Sequence, residues 1–216
     1  ALLSKIILKE GITLSFSLQQ PFNYHNVPYY ILLGLVAGLI SLYYTRIFTW
    51  TEEKMHLIGN LWTRAIAGGL ILFVILLLFP PLFGEGYQTI KQLADLQPGI
   101  LFQNSVLYSF IKTNSQLIFL LAILIFIKPI AAAVTLGGGG NGGNFAPALF
   151  VGAYLGFVFA RIINLSGLTH IPESNFTLVA MAGILSGIFY APLTAIFLIA
   201  EITGGYELMI PLMIVS

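Results

Sequence analysis

Long apolar stretches separated by shorter polar ones dominate this chain. Five stretches are apolar almost throughout, at residues 29–48, 65–79, 118–136, 147–163 and 177–190. A helix needs about 20 apolar residues to cross a hydrocarbon core roughly 30 Å thick. The pattern therefore predicts helices over these stretches, several of them long enough to span a membrane, and an all-α membrane protein.

Two further segments are predicted to be helical but too short to span. One covers 89–96, inside the longest polar region, 85–114. The other begins at Pro192 and stops before the glycine pair at 204–205. A helix of that length is about 18 Å long and does not cross the membrane alone. Interrupted helices are typical of transporters and channels with a site near the bilayer midplane.

Composition supports the membrane assignment and excludes several kinds of site. The chain is 58% hydrophobic and 8% charged, with a mean hydropathy of +0.95, whereas soluble domains carry about 25% charged residues. Its net charge of +1 and lack of a basic run make nucleic acid an unexpected partner. No cysteine is present, and the three histidines lack ligand spacing, so we expect no metal site and no cofactor.

Charged residues near or inside the apolar stretches need individual interpretation. Basic residues mark 49–64, which we interpret as a cytoplasmic connection by the positive-inside rule. Lys128 lies within an apolar helix, where an ionisable residue indicates function. We favour instead a lysine whose stem reaches toward water. Glu201 is interpreted as a carboxylate hydrogen-bonded near a helix end, in preference to a proton carrier. Gly152 and Gly156 have the spacing of a close helix contact.

The most informative stretch is glycine-rich, with six glycines among residues 137–143, followed by Pro147 and an apolar run. Glycine lets the backbone approach a ligand closely, and proline fits the first turn of a helix. The free amides and positive dipole of a helix start favour an anion. One helix start supplies about 1–2 kcal/mol, so several starts and hydroxyl donors must converge on an ion in the bilayer. No lysine or arginine occurs from 136 to 160, which favours passage over storage.

Other interpretations of the glycine-rich stretch remain. A nucleotide-binding loop fails because GK[ST] is absent and no acidic residue is suitably placed for a ribose. A flexible hinge or a packing point between two spans stays open.

Two motifs resemble the CLC family of chloride channels and chloride/proton antiporters. The stretch 143–147, Gly-Asn-Phe-Ala-Pro, resembles the family's GxFxP motif, and 190–203 resembles the short helix that follows it. The resemblance implies an all-α membrane protein with the inverted-repeat CLC-type fold, built from tilted and broken helices. Residues 1–216 would form one transmembrane fragment, with 1–17 ending the first repeat and 27–216 forming the second repeat, truncated before its last helix.

The same resemblance assigns site residues. It implies that the backbone N–H groups of Asn144 and Phe145 bind the anion, supported by the surrounding loop residues Gly142, Gly143, Ala146 and Pro147. Asn144 replaces the family's usual apolar residue, and we expect its side chain to face a neighbouring helix rather than the ion. Family members are homodimers, and Met209 is our predicted interface residue.

The implied function is transmembrane transport of chloride or a similar anion, as a voltage-gated-type channel or a Cl⁻/H⁺ antiporter, with chloride as the bound substrate and protons as a further partner. Such a protein is not an enzyme and would lie in the lipid bilayer of a plasma or inner membrane. The gating glutamate, pore serine and pore tyrosine of the family fall outside this sequence. The alternatives are a transporter of another substrate with discontinuous helices, a non-transporting scaffold subunit and, on no positive evidence, an intramembrane enzyme.

Overall fold

The computed structural model describes residues 22–96, 98–102, 113–167, 169–203 and 206–216. Within these residues the regular structure is helical and contains no strand, which confirms the all-α prediction. The predicted end of a first repeat, 1–17, and the glycine pair 204–205 lie outside the described residues.

Eight α-helices run through the described part of the chain: α1 (Val27–His56), α2 (Leu61–Leu78), α3 (Tyr87–Ala94), α4 (Asn114–Gly137), α5 (Phe145–Ser166), α6 (Glu173–Phe189), α7 (Pro192–Thr203) and α8 (Met209–Val215). Four of them, α1, α2, α4 and α5, are long and apolar enough to cross a membrane. The chain is therefore an integral membrane protein, as its composition predicted, and α7 occupies the short segment expected after Pro192.

Helix α1 is longer than predicted, and the extent of the connection expected at 49–64 is wrong, while its cytoplasmic side stays a prediction. The helix continues to His56, and only 57–60 separate it from α2. No glycine or proline occurs from 39 to 58 to stop it. Its buried side continues through Phe48, Thr51 and Met55 at helical spacing. The charged residues taken for a loop lie on the remaining faces of this last part of α1.

Helices α5 and α6 form the centre of the protein and pack against each other at very short range. A Cβ atom added at Gly152 would lie 2.5 Å from the Cα of Met181, and one at Gly156 would overlap the carbonyl of Phe176. The predicted close contact at these two glycines is confirmed. Because the backbones touch, α5 cannot shift along α6 without a clash.

Hydrogen bonds between polar side chains connect the C-terminal end of α5 to the start of α6. The Arg161 guanidinium donates to the buried Glu173 carboxylate at 3.1 Å. Asn164 donates through Nδ2 to Glu173 and to the carbonyl of Ile171, and its Oδ1 accepts from the Ile171 amide at 2.8 Å. This network, together with the glycine contacts, fixes the direction in which the start of α5 points.

Candidate anion site

The first half of the glycine-rich loop closes α4. The amides of Gly138, Gly139 and Gly140 donate to the carbonyls of the last turn of α4 at 2.9–3.0 Å, and Gly139 adopts a φ of +96°, which favours glycine. At Gly137 a Cβ would lie 2.8 Å from the Cβ of Met55 on α1. These glycines are therefore needed for a tight helix end and a close packing contact.

The second half of the loop leads into α5 with its amides free. The backbone N–H groups of residues 141–146 donate no hydrogen bond to any described residue. The first backbone hydrogen bond at this end of α5 runs from Ala148 to the carbonyl of Asn144, at 3.2 Å. The positive end of the helix dipole thus coincides with a run of donors that have no partner in the described parts of the chain.

The side chain of Asn144 does not use those donors. Asn144 directly precedes α5, but it makes no capping hydrogen bond, and its backbone is helical, with φ −85° and ψ −7°. Its Oδ1 instead accepts a hydrogen bond from the hydroxyl of Tyr44 on α1. Tyr44 is fully buried and stacks on Phe48, with ring centroids 6.0 Å apart. The prediction that Asn144 faces a neighbouring helix is confirmed.

A cavity of about 510 Å³ lies beside the start of α5. Predicted loop residues form one wall of it, namely Gly142, Gly143, Phe145, Ala146 and Pro147. The opposite walls come from α2, from 82–87 and from one side of α4. The structure thus brings together the predicted supporting residues and Phe145, while Asn144 stands behind them against α1.

Lys128 of α4 lines the same cavity, which the sequence did not predict. It is only 3% exposed. Its Nζ donates to the carbonyls of Leu82 and Gly84, both at 3.0 Å, and lies 4.7 Å from the ring centroid of Phe150. The expectation of a lysine reaching to water is therefore wrong, because two backbone acceptors hold the ammonium inside the protein. An ammonium has three donors, so the third N–H is not used by these two bonds.

No carboxylate of the described residues pairs with Lys128. Glu85 lines the cavity but does not come within ion-pair distance of the lysine. Tyr87 lies next to it, where burial and then the negative charge of Glu85 raise the pKa of the phenol. Among the described residues, the groups in direct contact with the Lys128 ammonium are therefore two carbonyl dipoles and an aromatic face, while the Glu85 carboxylate lines the same cavity beyond ion-pair distance.

A second helix start lies near the first. The ring of Phe145 at the start of α5 is 6.4 Å from that of Phe189, the last residue of α6. The chain turns at Tyr190, with a φ of +54°, and α7 begins at Pro192. The turn that leads into α7 thus lies beside the start of α5, and the convergence of several helix starts on one ion stays a prediction.

The remaining candidate residues lie elsewhere. Glu201 accepts a hydrogen bond from the hydroxyl of Tyr206 at 2.8 Å, which agrees with a carboxylate bonded near a helix end. Met209 is half-buried and packs against the core, while Ile210 and Met213 are the exposed apolar residues of α8. The interface role of Met209 stays a prediction. Within the described ranges no group of metal-ligating side chains occurs.

Sequence comparisons match the whole chain to one family. A family model described as voltage gated chloride channel covers residues 1–216. The chain is 30% identical over 200 residues to chloride channel protein CLC-f of Arabidopsis thaliana, covering 87% of this chain and 24% of the relative. It is 28% identical to the voltage-gated ClC-type chloride channel ClcB of Citrobacter koseri, covering 99% and 48%. The chain thus spans between about a quarter and half the length of these relatives.

Solved structures agree on the fold. The structure of a slow cyanobacterial Cl⁻/H⁺ antiporter matches 99% of this chain and 47% of its own, with a TM-score of 0.78 and 20% identity. A CLC-type fluoride/proton antiporter matches 98% and 47%, with a TM-score of 0.71 and 18% identity. At these identities the likeness concerns architecture, and it confirms the predicted CLC-type fold. The chain belongs to the voltage-gated chloride channel (CLC) family, whose members are channels and antiporters rather than enzymes.

Proposed function

We propose that the complete protein carries chloride or a similar small anion across a membrane, and that the backbone amides of Asn144 and Phe145 bind the anion in transit. The observation that carries this proposal is the run of unpaired N–H groups at the start of α5. Amides that have no partner in the described protein are available to a ligand. At the positive end of a buried helix, the preferred ligand is an anion.

The energy balance requires more than these two amides. Transfer of an anion out of water costs on the order of tens of kcal/mol in a fully apolar medium. Hydrogen bonds to a charged group contribute roughly 1.5–3 kcal/mol each, and a favourably placed helix start adds up to about 2 kcal/mol. The chain covers about half of its bacterial relative, so we propose that donors from the rest of the protein complete the site.

Lys128 contributes a further electrostatic attraction for the anion without forming a permanent ion pair with it. Its ammonium is anchored to the carbonyls of Leu82 and Gly84, so it lines the cavity at a fixed place. A fixed cation raises the electrostatic potential of the cavity and so favours occupancy by anions. Because the ammonium is held by other groups, it does not follow and trap the anion, and conduction requires the anion to leave as well as to enter.

Proton coupling and dimerisation belong to the same proposal. Two structural neighbours are described as proton antiporters and the bacterial relative as a channel.

We propose a homodimer in which α7 and α8 provide part of the interface. Its support is a set of large apolar side chains exposed on these two helices, namely Leu193, Phe197, Ile210 and Met213. Met209 stays the predicted contact at the edge of this set.

Anion flux from liposomes that contain the complete protein tests the transport step. We expect chloride efflux above that of empty liposomes. If a proton gradient alone drives chloride uphill, the protein is an antiporter; if it does not, the protein is a channel. Liposomes whose chloride flux equals the protein-free background would contradict the proposal.

The binding role is tested by removing one N–H group. Asn144→Pro deletes the amide at a position whose φ of −85° is close to that of proline. Asn144→Ala is the matched control, since it loses the same side chain and keeps the amide. We expect the proline variant to bind chloride roughly 10- to 100-fold more weakly than the alanine variant, the loss of one hydrogen bond to a charge. Equal affinities in calorimetry would contradict the role of this amide.

A further inference from the structure

Four asparagines in the described residues directly precede a helical segment, and two of them cap it. Asn26, before α1, does not cap, because the residue two further on is Pro28, which has no amide N–H. Asn23 and Asn60 have extended backbones, with ψ of 123° in both, and each accepts a hydrogen bond from the amide two residues further on, at 3.0 and 3.1 Å. Asn144 has a ψ of −7° and makes no such bond. The same residue type in the same relative position therefore adopts a second arrangement at the start of α5.

The neighbour of Asn144 explains the difference. The Tyr44 hydroxyl donates to the Oδ1 atom that would otherwise act as the cap. Tyr44 is 0% exposed, so a hydroxyl without this acceptor would be buried among apolar groups at a substantial energetic penalty. A hydrogen bond from a fixed, buried donor on another helix thus competes with the local capping bond and prevails.

Capping would interfere with an anion in two ways. If Asn144 capped as Asn60 does, its Oδ1 would accept from the amide of Ala146 and place a partial negative charge over the helix start. Its ψ would also move from −7° toward 123°. Rotation about ψ turns the following peptide plane, so the Phe145 N–H would no longer point in the same direction as the Asn144 N–H.

We propose that Tyr44 is a positioning residue of the anion site, which holds the Asn144 side chain against α1 and so prevents Asn144 from capping α5. The inference rests on the proposed function, since it assumes that the amides of Asn144 and Phe145 receive an anion. Tyr44 itself does not touch the anion. It keeps two amides parallel and free.

The test uses the complete protein with Tyr44→Phe, Asn144→Ala and the double variant. Tyr44→Phe keeps the ring that stacks on Phe48 and removes only the hydroxyl. We expect it to weaken chloride binding roughly fivefold, the equilibrium strength of an ordinary asparagine cap. Asn144→Ala cannot cap the helix, so it is the background in which loss of the Tyr44 hydroxyl should no longer change chloride affinity. The double variant should recover the affinity of Asn144→Ala.

Tyr43→Phe is the matched control. The adjacent Tyr43 also donates from α1 to another helix, to the carbonyl of Phe126 at 3.1 Å, but it does not contact Asn144. We expect its chloride affinity to be unchanged. If the affinity of Tyr44→Phe falls and the double variant is equally weak, the hydroxyl acts through packing alone and the proposal is overturned. Unchanged affinity in Tyr44→Phe also overturns it.

A structure of the Tyr44→Phe protein tests the inference without any anion. We expect Asn144 with an extended ψ and its Oδ1 bonded to the Ala146 amide. An Asn144 that keeps its helical backbone overturns the positioning role, even if chloride binds. A wild-type protein that binds no halide, combined with the expected rearrangement in Tyr44→Phe, would contradict the proposed function and leave the conformational part of the inference standing.

Discussion

Helices α2 and α5 both start immediately after an asparagine, yet one start is closed and the other open. Before α2, the side chain of Asn60 accepts from the amide of Trp62 at 3.1 Å. Before α5, the side chain of Asn144 is bonded to Tyr44, and the amides at the helix start have no partner among the described residues. The residue at the cap position is the same, so at these two starts the difference in capping follows from the partner that a neighbouring helix offers to Asn144.

The two helices also differ in how firmly they are held. In the most apolar part of α5, 67% of the residues are buried within the protein, against 6% in α2. Helix α5 is fixed in its middle by backbone contact at Gly152 and Gly156, and near its end by the Arg161–Glu173 ion pair. An open helix start lacks its own capping energy, and it keeps its position because the rest of the helix is immobilised by packing.

The largest expected effect comes from loosening that packing. Gly156→Ala would force a Cβ into the Phe176 carbonyl, and we expect a destabilisation of about 1–3 kcal/mol, as for overpacked cores. Gly69→Ala in α2 is the control, because nothing lies within 4 Å of its added Cβ. It should be neutral or stabilise by up to about 1 kcal/mol through helix propensity. Thermal unfolding in detergent measures both; equal melting temperatures would contradict the difference between the helices.

The next effect concerns charge near the open start. Lys128→Met removes the cation from the cavity wall. At an effective dielectric constant of about 20, two opposite unit charges about 8 Å apart attract each other by roughly 2 kcal/mol. We therefore expect the loss of the ammonium to lower chloride affinity roughly 30-fold. Lys54→Met, at an exposed lysine beside Trp50, should leave affinity unchanged. Calorimetric titration with chloride measures the affinity of both variants. If both bind chloride as tightly as the wild type, Lys128 only anchors the turn at 82–84.

The smallest effect is expected at the closed start. Asn60→Ala removes the cap of α2 and should lower stability by about 1 kcal/mol without changing halide affinity. Asn144→Ala removes no cap, so any loss of stability reflects only its bond to Tyr44. Chemical unfolding and halide titration of the two variants sharpen the comparison. A change in halide affinity upon Asn60→Ala would show that the α2 start is part of the anion pathway.

The fold was largely predictable because its boundaries depend on local signals. Helix α7 begins at Pro192 and ends at Thr203, as predicted, since proline and glycine act on the backbone around them. The end of α1 was predicted eight residues too early, because the polarity of 49–56 was taken as a loop signal. Polarity shows which face of a helix meets water, whereas a helix ends only where the backbone or its cap requires it.

The site was predictable only as far as its chemistry is local. The glycine loop and the Pro147 start indicated free amides without reference to any other segment. Lys128 was misjudged because its acceptors, Leu82 and Gly84, lie more than 40 residues away in sequence. The Tyr44 partner of Asn144 is 100 residues away, and no periodicity of either helix reveals it. Such pairs depend on how α1, α4 and α5 pack together.

The central claim, that an anion occupies the open start of α5, is tested most directly by crystals of the complete protein grown in bromide. Anomalous diffraction locates bromide without ambiguity between ion and water. We predict a peak within hydrogen-bonding distance of the amide nitrogens of Asn144 and Phe145, which disappears in Asn144→Pro crystals and persists in Asn144→Ala crystals. Fully occupied bromide sites elsewhere, with none at this helix start, would contradict the account.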